Sequence, residues 1–133
     1  MESTRPHLAI IDDEIAIRIA LTRLFEVSGY NVSAYVCASE FLADIHENMP
    51  ACLVVDFQMP KMTGLDLQLR LAQAGIDIPI VILTARDENW VRKRCIAAGA
   101  LAIFVKPIRA KELLAVIKEV VKTPTAMQGQ LVR

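Results

Sequence analysis

Short apolar runs alternate with longer stretches of helical period along the whole of this 133-residue chain, and that alternation is its strongest constraint. "HLAII" (7–11), "NVSAYV" (31–36), "CLVV" (52–55), "IPIVIL" (78–83) and "LAIFV" (101–105) read as strands, three of them apolar nearly throughout. Strands of that kind are covered on both faces, which a parallel sheet achieves with helices on either side. Between them, Ile17, Leu21, Leu24 and Phe25 fall on one helical face that "GY" at 29–30 ends. Phe41, Leu42 and Ile45 mark a short second helix stopping before Pro50. Thr63 and Asp66 look like a capping box for a third, which carries Leu65, Leu67, Leu69 and Leu71 and stops at Gly75. Residues 88–98 predict a fourth, ending at Gly99, and Leu113, Leu114, Ile117, Val120 and Val121 the apolar face of a fifth. The expected fold is α/β: a flavodoxin-like five-stranded parallel sheet in the order 2-1-3-4-5 with helices on both faces.

Composition narrows the function. Basic and acidic residues balance at 15 each with no basic block, so no nucleic-acid surface is expected of this domain. "MESTRPH" lacks the apolar core of a secretion signal, and "IPIVIL" is far too short to cross a bilayer. No membrane contact and a cytoplasmic location are therefore expected. Cys37, Cys52 and Cys95 lack metal-ligand spacing and read as free buried thiols. The chain divides into an N-terminal extension (1–6), a domain (7–121) and a flexible tail or linker start (122–133), the tail being polar with Pro and Gly.

In the 2-1-3-4-5 order, ligands bind beyond the carboxyl ends of strands 1 and 3. Strand 1 there runs into Asp12 and Asp13, and strand 3 into Asp56. Like charges about 4 Å apart cost ~1 kcal/mol in water and ~4 kcal/mol near a protein surface, so the cluster calls for a hard cation. Mg²⁺ fits best, since it takes carboxylate oxygens and keeps exchangeable waters; a helix cap would account for only one of the three. Strand 4 ends in Thr84 and strand 5 in Lys106, adding a hydroxyl donor and an ammonium. Such a set suits a phosphoryl group, and a carboxylate can accept one as an aspartyl phosphate.

Together, "IIDDE", "VVDFQMPKMTG", "ILTA" and "FVKP" resemble the receiver domain of two-component response regulators over residues 7–121. The likeness is nearest to receivers that precede LuxR-type helix-turn-helix outputs. It implies that Asp56 accepts a phosphoryl group from a sensor histidine kinase, and that Asp13, Asp56 and the Gln58 backbone carbonyl bind Mg²⁺ (or Mn²⁺). Asp12 would act mainly through water. Thr84 and Lys106 would contact phosphoryl oxygens, Gln58 and Arg86 would tune the lifetime of the phosphorylated state, and the Lys106–Pro107 bond would be cis. Met59-Pro60 and Gly64 would shape the loop after the acceptor. The face of helix 4, strand 5 and helix 5 would then exchange partners: a downstream protein, an attached output domain, or a second copy in a phosphorylation-dependent homodimer.

One position departs from the family pattern. Ile103 stands where an aromatic usually rotates beneath the threonine, and Phe104 next to it points to the other face. Trp90 on the fourth helix reads as a packing or surface anchor, and with Ile103, Phe104 and Pro107 it completes the expected switch and interface set. A phosphohydrolase working through an aspartyl phosphate would need an Asp-x-Asp after strand 1, whereas Asp12 and Asp13 are adjacent. A pseudo-receiver acting only as an interaction module is the third possibility, prompted by Ile103.

Overall fold

The computed structural model describes residues 5–122. Residues 123–133 of the expected tail and the first four residues of the expected extension lie outside them. The strands are β1 (His7–Ile11), β2 (Asn31–Tyr35), β3 (Cys52–Asp56), β4 (Ile80–Thr84) and β5 (Ala102–Val105), and the helices are α1 (Ile15–Val27), α2 (Ala38–Asp44), α3 (Gly64–Gln73), α4 (Asn89–Ala97) and α5 (Ala110–Lys122). The sheet is wholly parallel in the order β2-β1-β3-β4-β5.

Strand alternation divides the core in two. Ala9, Ile11, Leu53, Val55, Ile80 and Ile82 pack with Phe41 of α2 and Ile45 at its C-cap, Leu67 and Leu71 of α3, and Val91 and Cys95 of α4. Leu8, Ile10, Cys52, Val54, Val81 and Leu83 face the other way, onto Leu21 and Phe25 of α1 and Leu113 and Ile117 of α5. Every residue of β3 and β4 is buried, as strands covered on both faces require.

Element ends differ from the sequence expectation for local reasons. Pro79 has no N–H to give a ladder, and β4 begins after it, at Ile80. Its carbonyl accepts from Leu53 N–H at 2.9 Å. Val36 leaves β2 because its N–H turns to the Glu40 carboxylate at 3.0 Å. β3 takes in Asp56, paired with Leu83, and β4 takes in Thr84, paired with Val105. β5 begins one residue late, and α4 is one residue shorter at each end than 88–98. Helix α5 includes Lys122, one residue past the expected domain end.

The Thr63–Asp66 capping box is present in both directions. Of the four leucines of α3, only Leu67 and Leu71, four apart, are fully buried; Leu69 is rotated about 200° from Leu67 and is exposed. Cys52 and Cys95 are buried free thiols, but Cys37 is only half-buried, because it caps the start of α2 beyond the edge strand. Among the described residues no helix is long and apolar enough to cross a membrane.

Candidate phosphoryl-acceptor and metal site

Register brings the acids together. Ile11 pairs with Val55, so Asp12 and Asp56 leave adjacent strands at the same level. Carboxylate oxygens of Asp12, Asp13 and Asp56 lie within 4.8 Å of one another. The backbone is held on every side. Asp12 N–H donates to the Tyr35 carbonyl at 3.2 Å, and Arg18 Nη1 donates to the Asp12 carbonyl at 2.7 Å. Phe57 N–H donates to the Leu83 carbonyl at 2.7 Å, and Gly64 N–H to the Phe57 carbonyl at 2.9 Å.

The three acids have different surroundings. Asp12 is buried, with Oδ1 accepting from Glu14 N–H at 2.9 Å and Oδ2 facing Lys106 Nζ at 3.2 Å. The bond to Glu14 N–H makes Asp12 a local turn-former as well as a member of the cluster, while the side chain of Glu14, at the α1 N-cap, makes no capping bond to the helix. Asp13 is exposed, and its carboxylate meets no hydrogen-bond or salt-bridge partner among the described residues. Asp56 is buried, and its carboxyl is pushed up to about 6 by burial and by the Asp12 charge, against the pull of Lys106 and the Gln58 backbone N–H. This donor set suits a hard divalent cation: oxygen ligands only, one carboxylate unpartnered, and repulsion that a cation would relieve.

Lys106 reaches over from the end of β5, where its N–H donates to the Thr84 carbonyl at 2.8 Å. Its ammonium lies 2.9 Å from Glu14 Oε1, 3.2 Å from Asp12 Oδ2 and 3.4 Å from Asp56 Oδ1. Burial alone would pull its pKa down, yet Glu14, Asp56 and Asp12 outweigh that and hold it above the usual lysine range. The Lys106–Pro107 peptide bond is cis. Thr84 is buried, and its hydroxyl is engaged within its own loop, donating to the Arg86 carbonyl at 3.1 Å and accepting from Arg86 N–H at 3.3 Å. The side chains of Gln58 and Arg86 are exposed on the two loops that follow β3 and β4.

Ile103 and Phe104 point to opposite faces. Ile103 packs half-buried on the α2–α3–α4 side, and Phe104 on the α1–α5 side. Trp90 is 51 % exposed, its ring edge-on to Phe57 at a centroid separation of 6.0 Å. Pro107 is exposed.

Three residues carry structural weight that the sequence reading passed over. Glu14 is the nearest acid to Lys106, and its position beside Asp12 and Asp13 was the available signal. Phe57 follows the acceptor directly yet supports α4. Gln68 is buried on α3 and donates to the Cys95 carbonyl of α4 at 3.0 Å, which nothing local in the sequence foretells.

Comparison with known proteins agrees with this arrangement. Residues 8–118 match the family described as response regulator receiver domain. The chain is 37 % identical to the response regulator protein TodT of Pseudomonas putida over 113 residues, which is 85 % of this chain and 50 % of TodT. It thus spans about half the length of the curated relatives it matches. Among solved structures, a CheY-like receiver domain protein from Methanospirillum hungatei superposes with a TM-score of 0.83 at 26 % identity, covering 90 % of this chain and 95 % of that one. Full-length FixJ from B. japonicum also gives 0.83, at 28 % identity, with 90 % of this chain covered and 59 % of FixJ. With the family match spanning nearly all of the described residues, and the fold and acidic crevice in agreement, the chain belongs to the receiver domains of two-component response regulators.

Proposed function

We propose that this receiver is a phosphorylation-controlled switch in which Asp56 accepts a phosphoryl group from the phosphohistidine of a sensor histidine kinase. The observation that carries the proposal is the convergence of Asp12, Asp13 and Asp56 beneath the Lys106 ammonium. Asp56 attacks phosphorus through a carboxylate oxygen; the phosphorus–nitrogen bond breaks, and its electron pair stays on the imidazole. Attack needs the ionised carboxylate, which prevails at neutral pH even with the pKa pushed up to about 6.

Asp13, Asp56 and the Gln58 backbone carbonyl would hold Mg²⁺ or Mn²⁺, with Asp12 acting through water. Both Asp12 oxygens already have protein partners, which supports that indirect part. The bound cation would supply charge neutralisation at the phosphoryl oxygens. Lys106 offsets the charge from the opposite side and pairs with a phosphoryl oxygen. The Thr84 hydroxyl donates to another, and to do so it releases the Arg86 carbonyl, because a hydroxyl has one hydrogen to give. Gln58 and Arg86 flank the group and set how readily water reaches it.

The domain assists its own phosphorylation and slow hydrolysis and turns over no metabolite. Its output is the face of α4, β5 and α5, including Trp90, Ile103, Phe104 and Pro107. That face engages a downstream protein, an attached output domain, or a second copy as a phosphorylation-dependent homodimer, in the cytoplasm and without nucleic-acid contact by this domain.

Incubation with acetyl phosphate and Mg²⁺ should add one phosphoryl group by intact-protein mass. Asp56→Asn should gain none. Equal labelling of that variant, or none in wild type, would sink the acceptor assignment, and sustained turnover of phosphate esters would point to a phosphohydrolase instead.

A further inference from the structure

We propose that Phe57 and Trp90 form the contact through which this receiver passes its phosphorylation state from Asp56 to α4, in place of an aromatic at position 103 of β5. The inference rests on Asp56 being the acceptor. Phe57 follows Asp56 directly, and its main chain is pinned on both sides, by Leu83 and by Gly64. Its ring is buried in the core cluster beneath α4 and meets the Trp90 ring edge-on, at 6.0 Å and 78°. Trp90 stands in the first turn of α4, and the Arg94 guanidinium lies 5.8 Å from its ring one turn on.

A second connection reaches the same residue. Thr84 leads through the short 85–88 loop to α4, and its hydroxyl closes that loop onto Arg86. Donation by Thr84 to a phosphoryl oxygen gives up the Arg86 carbonyl, which loosens the segment that holds Trp90 in place. The acceptor side and the threonine side therefore converge on one edge-to-face contact.

Helix α4 is built to respond to it. It lacks a side-chain cap at Glu88, has no acid in its first turn, and buries only Val91 and Cys95. Gln68 anchors its far end through the Cys95 carbonyl. Position 103, on the same side of the sheet, offers an aliphatic side chain that cannot hydrogen-bond to Thr84 or stack.

Trp90 is the sole tryptophan, so its emission reports the contact directly. Wild type, Phe57→Leu and Trp90→Leu are compared with and without acetyl phosphate and Mg²⁺, with intact mass reporting acceptance and hydrogen exchange reporting α4. In wild type, phosphorylation should alter Trp90 emission and change amide protection over 86–97 by roughly two- to tenfold, the range one aromatic pair can exert. Phe57→Leu should be phosphorylated as fully as wild type but lose both responses. Trp90→Leu, at a half-exposed position that tolerates the change, should lose the exchange response even if Phe57→Leu folds poorly. Full retention of the exchange response in either phosphorylated variant overturns the proposal, as does its absence in phosphorylated wild type. Failure of wild type to gain mass overturns the acceptor assignment and this inference with it.

Discussion

Lys106 Nζ stands 3.4 Å from Asp56 Oδ1, although the two residues leave strands separated in the sheet by β4. The lysine is shared: Asp12 and Glu14 lie closer to it than Asp56 does. Glu14 is 61 % exposed and its ion pair is worth little, about 0–1 kcal/mol, so the buried pair of aspartates dominates the energetics. One ammonium facing two buried carboxylates leaves the site short of positive charge. That imbalance governs how the domain should answer to pH, metal and mutation.

Asp56 should destabilise the metal-free fold at neutral pH. Its pKa rises from 3.8 to about 6 on folding, so the native state binds the proton more tightly than the unfolded chain. Stability from this group is therefore greatest below pH 4, falls as pH rises to about 6, and stays low above it. Neutral Asp56→Asn should then be more stable than wild type by up to roughly 3 kcal/mol at pH 8, with the gain vanishing near pH 4. Urea denaturation without metal at the two pH values measures this; a less stable variant at pH 8 would contradict it.

Divalent metal should reverse the penalty. Mg²⁺ at a hundredfold excess over its Kd should stabilise wild type by about 2.7 kcal/mol at pH 8, seen as a higher Tm. At pH 5 the shift should shrink, because protons compete for Asp56. Asp13→Asn should abolish the response while changing metal-free stability little, since Asp13 is exposed and has no protein partner among the described residues. A Tm response to Mg²⁺ that survives this substitution would remove Asp13 from the metal site.

Removing the ammonium should cost more than removing an acid. Lys106→Gln leaves Asp12 and Asp56 buried and uncompensated, a loss of about 3 kcal/mol by urea denaturation at pH 8. Asp56 should then titrate above its wild-type value, because the group that lowers its pKa is gone. Carboxyl-carbon NMR would follow that titration, and an unchanged or lower value would show that Lys106 does not control the acceptor's charge.

Gly64 should not tolerate a side chain. A Cβ there would sit 3.2 Å from the Asp56 carbonyl oxygen, the Phe57 Cα and Ile82 Cδ1, and the first two belong to pinned backbone. Alanine's helix preference of about 1 kcal/mol opposes this, but the crowding cannot be relieved by rotating a side chain. Gly64→Ala should lose about 1–3 kcal/mol and slow phosphorylation by acetyl phosphate, as the acceptor's backbone is displaced. Stability and labelling rate unchanged from wild type would show that the acceptor loop can yield.

The sheet, its strand order and the residues at its carboxyl edge were all readable from the chain's local patterns. Those follow from local causes: apolar runs too short for helices, turn and cap residues between them, and a winding rule that puts strand ends on one rim. Asp12, Asp13, Asp56, Thr84 and Lys106 were legible because each closes a strand or lies within two residues of its end. Tertiary structure alone decided who partners whom across that rim. Lys106 favours Glu14 and Asp12 over Asp56, Thr84 turns to Arg86, Gln68 is buried against α4, and Phe57 meets Trp90. Most of these contacts join residues tens of positions apart, and they depend on how each helix seats on the sheet. Local pattern places an element and its faces, but side-chain distances of 3–6 Å are set only when the helices pack.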